Sequence, residues 1–155
     1  MSLFQESSPH LGGRAVLLSI KPKYADLILA GSKRVEFRRS WAAQEVSVIF
    51  LYSSSPVQKI VGAVEVTEVV SASPTALWKT CAERGGGLTR EELRAYFVGK
   101  PQGFAVLLGK VTRPTDHVEP SEVIGNFVPP QSFRYLEAAE YKKLEKKMAA
   151  RRPKQ

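Results

Sequence analysis

Residues 16–39 read VLLSIKPKYADLILAGSKRVEFRR, and this stretch decides the fold. Val16, Leu17, Leu18 and Ile20 form a short apolar run of the kind a buried strand shows. Pro22 follows where the first turn of a helix tolerates it, since its missing N–H would be unpaired there anyway. Tyr24, Leu27 and Ile28 then fall at i, i+3 and i+4, and Gly31 stands where a helix stops. From Lys33 the period changes from 3.6 to 2: Val35 and Phe37 take one face, Arg34, Glu36 and Arg38 the other. A strand whose second face carries Arg, Glu and Arg is either solvated or lines a cleft.

Working outward, residues 1–13 hold Ser, Pro and paired Gly and are expected to be a flexible leader. Residues 41–45 connect to a strand over 46–52 (VSVIFLY), which the Ser53-Ser54-Ser55-Pro56 turn ends. A further strand is expected over 59–70, with Gly62 marking a bulge or a close backbone approach. Ser73-Pro74 opens one helix, and Thr89 with Glu92 spells a capping box for a second. Between them Gly85-Gly86-Gly87 reads as a flexible link; no Lys-Ser/Thr follows it and no strand precedes it, so it is not a phosphate loop. A long apolar strand fills 103–111, residues 112–128 are loop-rich with a turn of helix at 121–124, and a helix is expected from Ser132 to about Ala150. Phe133, Leu136, Leu144 and Met148 would form its apolar stripe. The elements alternate too irregularly for a doubly wound sheet; about five strands with a helix between the first two suit an α+β fold built on a small, partly open barrel.

The composition, 155 residues with 43% hydrophobic content, fits one domain with a real core. No apolar run approaches a membrane span, and residues 1–14 lack the features of a signal peptide. A single cysteine, Cys81, excludes an internal disulfide and suits a reducing compartment, so a cytoplasmic protein is expected. With His10 and His117 the only histidines, no metal and no cofactor are expected. The net charge is +8, and residues 141–155 supply six of it, seven Lys and Arg against Glu145. This basic segment is either a solvated end or an arm that neutralises phosphates.

Several residues are candidates for contact with a nucleic acid. Glu36 and Arg38 reach one face together, and an Arg beside a carboxylate favours its ionised form; the plain alternative is a salt-bridged strand surface. Ser53, Ser54 and Ser55 can donate to phosphate oxygens or base edges, or serve only as turn formers. Trp41 can stack a base or anchor the surface. In Gln131-Ser132-Phe133-Arg134-Tyr135, rings, hydroxyl and guanidinium suit single-stranded RNA; Phe133 is expected to lock the last helix and Arg134 to contact ligand. Tyr24, by its helical spacing, is expected in the core. Asp116-His117 points to no serine nucleophile.

Gly31 to Arg38 resembles the G-x-K-x-x-E-x-R signature of the ASCH family, in the PUA-like superfamily. SIKPKYADLILA (19–30), LYSSSP (51–56), VGAVEV (61–66) and PPQSFRYL (129–136) are similar to that family's segments in the same order. The resemblance covers about residues 14–136, leaving 137–155 as a basic C-terminal helix and tail. It implies a PUA-like β pseudo-barrel with flanking helices and a cleft at one face, lined by Lys33, Glu36 and Arg38 and edged by Ser53, Ser54 and Ser55; Arg34, beside Lys33, is a further candidate for nucleic-acid contact. It further implies a module that holds an RNA base or short single strand, with Lys33 on phosphate or a polarised carbonyl. The alternative it carries is an enzyme using Lys33 and Glu36. Some ASCH proteins deacetylate acetylated cytidine with a lysine, a threonine and a glutamate; Lys33 matches the lysine, Glu36 stands at the threonine's place, and Glu83 is the nearest candidate for the glutamate. Others are linked to RNA cleavage, which lysine, tyrosine and serine can support. A protein partner docking on the basic C-terminal helix is the third expectation.

Overall fold

A computed structural model describes residues 13–149; the leader, apart from Gly13, and tail residues 150–155 lie outside them. In chain order the elements are β1 (Arg14–Ile20), α1 (Pro22–Leu29), β2 (Val35–Arg38), β3 (Val46–Ser53) and β4 (Lys59–Ala72). They continue with α2 (Pro74–Glu83), α3 (Arg90–Tyr96), β5 (Gly103–Thr112), a 3-10 turn (Pro120–Glu122), β6 (Phe133–Tyr135) and α4 (Ala138–Ala149). The fold is α+β, as expected, with one sheet in the order β2-β5-β4-β3-β1-β6 curled into a half-barrel. Only β1 and β3 run parallel; the other neighbours are antiparallel.

Apolar packing on both faces explains why β1 and β3 read as nearly unbroken apolar runs. One face of β1, β3 and β5 points into a cluster with Val16, Leu18, Ile49, Leu51 and Val106, plugged by Ala25, Ile28 and Leu29 of α1. On the other face, Ala15, Leu17, Val48 and Phe50 pack under Tyr141, Leu144 and Met148 of α4. Farther along, Val35, Phe37 and Ala105 pack under Leu77 and Cys81 of α2, Leu93 of α3 and Phe97 just after it. The helix of the basic segment thus spends its apolar stripe on this chain's own core. Gly62 is both things expected of it: the β3–β4 register slips beside it, and a methyl there would crowd the Thr112 carbonyl as well as the Leu29 side chain.

The last helix starts later than its sequence suggests. Phe133–Tyr135 is a strand, pairing with Val16, Leu17 and Leu18 of β1, and α4 begins at Ala138. Two rings flanking an arginine are a period-2 pattern, and the open edge of β1 supplies the ladder that fixes it.

The sheet's two edges, β2 and β6, meet without a ladder between them, and side chains close the seam. Arg38 Nη1 at the end of β2 donates to Ser132 Oγ (3.3 Å), and its Nη2 donates to the Ser19 carbonyl (3.2 Å). Below it Trp41 packs on Phe133, ring centroids 5.3 Å apart, and the Gln44 N–H donates to the Tyr135 hydroxyl (3.1 Å).

Candidate functional site

The Gly31–Lys33 turn ends α1 and turns the chain into β2. Gly31 takes φ +83°, which glycine adopts at no steric cost, and the Lys33 N–H returns to the Leu27 carbonyl (3.1 Å). β2 then presents Val35 and Phe37 to the helices, leaving Glu36 and Arg38 on the opposite face, at the mouth of the half-barrel. There the structure opens a cavity of about 930 Å³, at the upper end of ordinary ligand sites.

A buried chain of charges forms its floor. Lys33 Nζ lies 3.5 Å from Glu36 Oε1, and Glu36 Oε2 accepts from Arg38 Nε (3.1 Å) and lies 2.9 Å from its Nη2. Lys33 is 3% exposed and Glu36 8%. The Lys33 ammonium also donates to the Gly86 carbonyl (2.5 Å) and sits 5.3 Å from the Tyr24 ring centroid and 5.8 Å from that of Phe37. Burial pushes this ammonium below the ordinary lysine range, while the charge and hydrogen bond of Glu36 work against that. Tyr24, Phe37, Tyr52 and Tyr96 wall the cavity, Ser54, Ser55 and Gln58 stand on one rim, and Pro129, Pro130 and Gln131 cross another. Tyr96 donates its hydroxyl to the Phe37 carbonyl (3.2 Å), and burial holds that phenol above its usual range.

The structure therefore brings Lys33, Glu36, Arg38 and Ser54 to one concave site. It does not bring Arg34, Ser53, Trp41 or Arg134 there. Arg34 precedes the first strand pair, so β2's alternation does not reach it; its guanidinium is exposed and donates to the Glu83 carbonyl (3.2 Å). Ser53, the last residue of β3, is 2% exposed and does not line the cavity. Trp41 lines a separate cavity of about 280 Å³, with Nε1 buried and unpartnered among the described residues. Arg134, one register position from the two rings, turns to α4 and pairs with Glu140 (3.1 Å).

Sequence reasoning missed other members. Tyr24, expected in the core, walls the cavity. The Gly85-Gly86-Gly87 link is no slack tether: Gly86 is buried, a methyl on it would overlap Cys81 Sγ, and its carbonyl holds Lys33. Nothing local in the sequence joins Gly86 to Lys33; the pairing exists only once α2 packs beside β2. Gln58, also on the cavity's rim, has φ +55°, a conformation rare for residues other than glycine.

The ASCH domain family profile matches residues 18–147. The chain belongs to the ASCH domain family. This ASCH chain is 31% identical over 134 residues to a Zymomonas mobilis protein described as an ASCH domain-containing ribonuclease, the match covering 84% of this chain and 90% of that one. The crystal structure of ASCH from Zymomonas mobilis superposes with a TM-score of 0.78 at 30% identity, over 84% of this chain and 93% of that one. That protein has also been solved as a tyrosine-to-phenylalanine and as a serine-to-alanine variant. A large ribosomal subunit protein, uL22 of Ureaplasma parvum, is 25% identical over 125 residues, spanning 78% of this chain but 39% of the ribosomal protein. The N-terminal domain of Staphylothermus marinus McrB shares the fold (TM-score 0.54, 13% identity), over 86% of this chain and 94% of that one. No helix among the described residues is long and apolar enough to cross a membrane.

Proposed function

We propose that this ASCH domain binds single-stranded RNA and takes one unpaired base into the cavity, against the Lys33–Glu36–Arg38 chain. The observation that carries the reading is that buried ionic chain beneath aromatic walls. Rings offer faces on which an unstacked base can lie. Glu36 accepts from Lys33 and Arg38 and, as a carboxylate has about four lone-pair sites, keeps capacity to accept from a base N–H. Relatives named as a ribonuclease and as a ribosomal protein support RNA as the polymer. The single cysteine, Cys81, is buried, which suits a reducing, cytoplasmic setting. Exposed Lys142, Lys143 and Lys146 on α4 can add phosphate neutralisation. A protein docking there would meet lysines rather than an apolar stripe.

The test is fluorescence anisotropy with short single-stranded RNAs of different sequence and their duplexes. Wild type is expected to prefer single strands. Glu36→Gln, checked for folding by circular dichroism, is expected to change the order of base preference more than the mean affinity, because an amide also donates. Equal affinity for duplex, or an unaltered base order in Glu36→Gln, would remove the reading.

RNA cleavage is the second reading, favoured by the ribonuclease relative and by the side chains present. The cavity offers a lysine more easily deprotonated than usual, Tyr52 and Tyr96, and the hydroxyls of Ser19, Ser54 and Ser55, residue types that serve in proton transfer. Time-dependent fragmentation of RNA by wild type, lost in Tyr52→Phe with binding intact, would establish it. Deacetylation of acetylated cytidine has less support: Glu36 occupies the threonine's position and has no hydroxyl to give.

A further inference from the structure

We infer that Lys21 is the cation that meets phosphate in this cavity, so that a nucleotide enters base first and keeps its phosphate at the start of α1. The inference rests on the RNA reading above and names the orientation of its ligand. Three cations line the cavity: Lys21, Lys33 and Arg38. The inner two are committed. Lys33 is 3% exposed, with its ammonium on the Gly86 carbonyl and beside Glu36. Arg38 donates from Nε, Nη1 and Nη2 to Glu36, Ser132 and the Ser19 carbonyl.

A phosphate brought to that floor would also face the Glu36 carboxylate at close range. Unlike charges gain there only by displacing bonds already made, and like charges at low dielectric repel strongly. A neutral base carries no such cost and can donate to Glu36. The anionic end of the ligand therefore belongs outside.

Lys21 has the opposite character. It is exposed at the rim, and among the described residues its ammonium has no ion-pair or hydrogen-bond partner. Its backbone is nevertheless fixed, because its carbonyl accepts from the Tyr24 and Ala25 N–H groups (3.0 Å each). The second carboxylate lining the cavity, Glu92, is held by the Thr89 N–H in the capping box of α3 (2.8 Å). Lys21 thus offers a free charge on a rigid base, at the rim of the cavity that Tyr24 helps to wall.

The experiment uses the full chain and a labelled short single-stranded RNA, titrated by anisotropy over a series of salt concentrations. Four proteins are compared: wild type, Lys21→Gln, Lys21→Arg, and Lys79→Gln as an exposed lysine on α2 away from the cavity. Lys21→Gln is expected to weaken binding about threefold to tenfold at low salt and to flatten the slope of log K against log salt by about 0.7. Lys21→Arg should restore the slope, and Lys79→Gln should leave it unchanged. Wild-type binding with an unaltered slope in Lys21→Gln, or an equal loss in Lys79→Gln, would overturn the assignment while leaving the RNA reading in place. Wild type that binds no RNA at all would end both.

Discussion

Glu36→Ala is expected to destabilise the protein by about 3–5 kcal/mol, the usual consequence of removing one partner from a buried charge network. The cost comes less from the lost attraction than from what stays behind. Lys33 and Arg38 would face each other as like charges, Lys33 at 3% exposure with only the Gly86 carbonyl and two ring faces. Urea denaturation monitored by tryptophan fluorescence measures it: the midpoint should fall with the slope unchanged. A loss under about 1 kcal/mol, the range of exposed pairs, would mean that water reaches the chain of charges and that the floor is not dry.

Gly85→Ala is expected to cost at least about 2 kcal/mol and to weaken ligand binding as well. Gly85 has φ +61°, where an L side chain is strained by about 1–2 kcal/mol, and the new methyl would overlap the Ser32 carbonyl oxygen. A backbone atom cannot swing aside as a side-chain end can, so the 85–87 segment must shift. Its next residue carries the carbonyl that fixes Lys33, so stability and affinity should fall together. Denaturation and RNA titration of the same variant check this. Gly99→Ala is the contrast: it shares the positive φ of +81° but has open space around it, and should show the strain without the loss of affinity.

The sequence made the floor of the site more legible than its walls. Glu36 and Arg38 share a face because strand period is 2, and that needs only local reading. Extending the same alternation back would add Arg34, but period extends no further than the strand, and pairing begins at Val35. Tyr24 shows a related limit. Spacing of i, i+3 and i+4 identifies the inward stripe of α1, yet not that the stripe's edge meets a cavity. The Gly86 carbonyl lies 53 residues from Lys33, and no pattern spans that distance. In 133–135 a half-barrel edge decided between helix and strand, and with it sent Arg134 to Glu140 instead of the cleft. Six strands rather than about five follow from that same short piece.

The seam between β2 and β6 gives the molecule a clasp, and the clasp and the site share one guanidinium. A ligand drawing on Glu36 is felt through Arg38 at Ser132 and at the Ser19 carbonyl, and so at the strap that carries Pro129, Pro130 and Gln131 across the cavity. The Ser19 N–H donates to the Ser132 carbonyl (2.9 Å) at the same junction. Its exchange with deuterated solvent should therefore slow when the cavity is filled, since whatever binds only the closed form disfavours opening. An occupied site and a closed seam become one event, readable at a single amide at the cavity's edge.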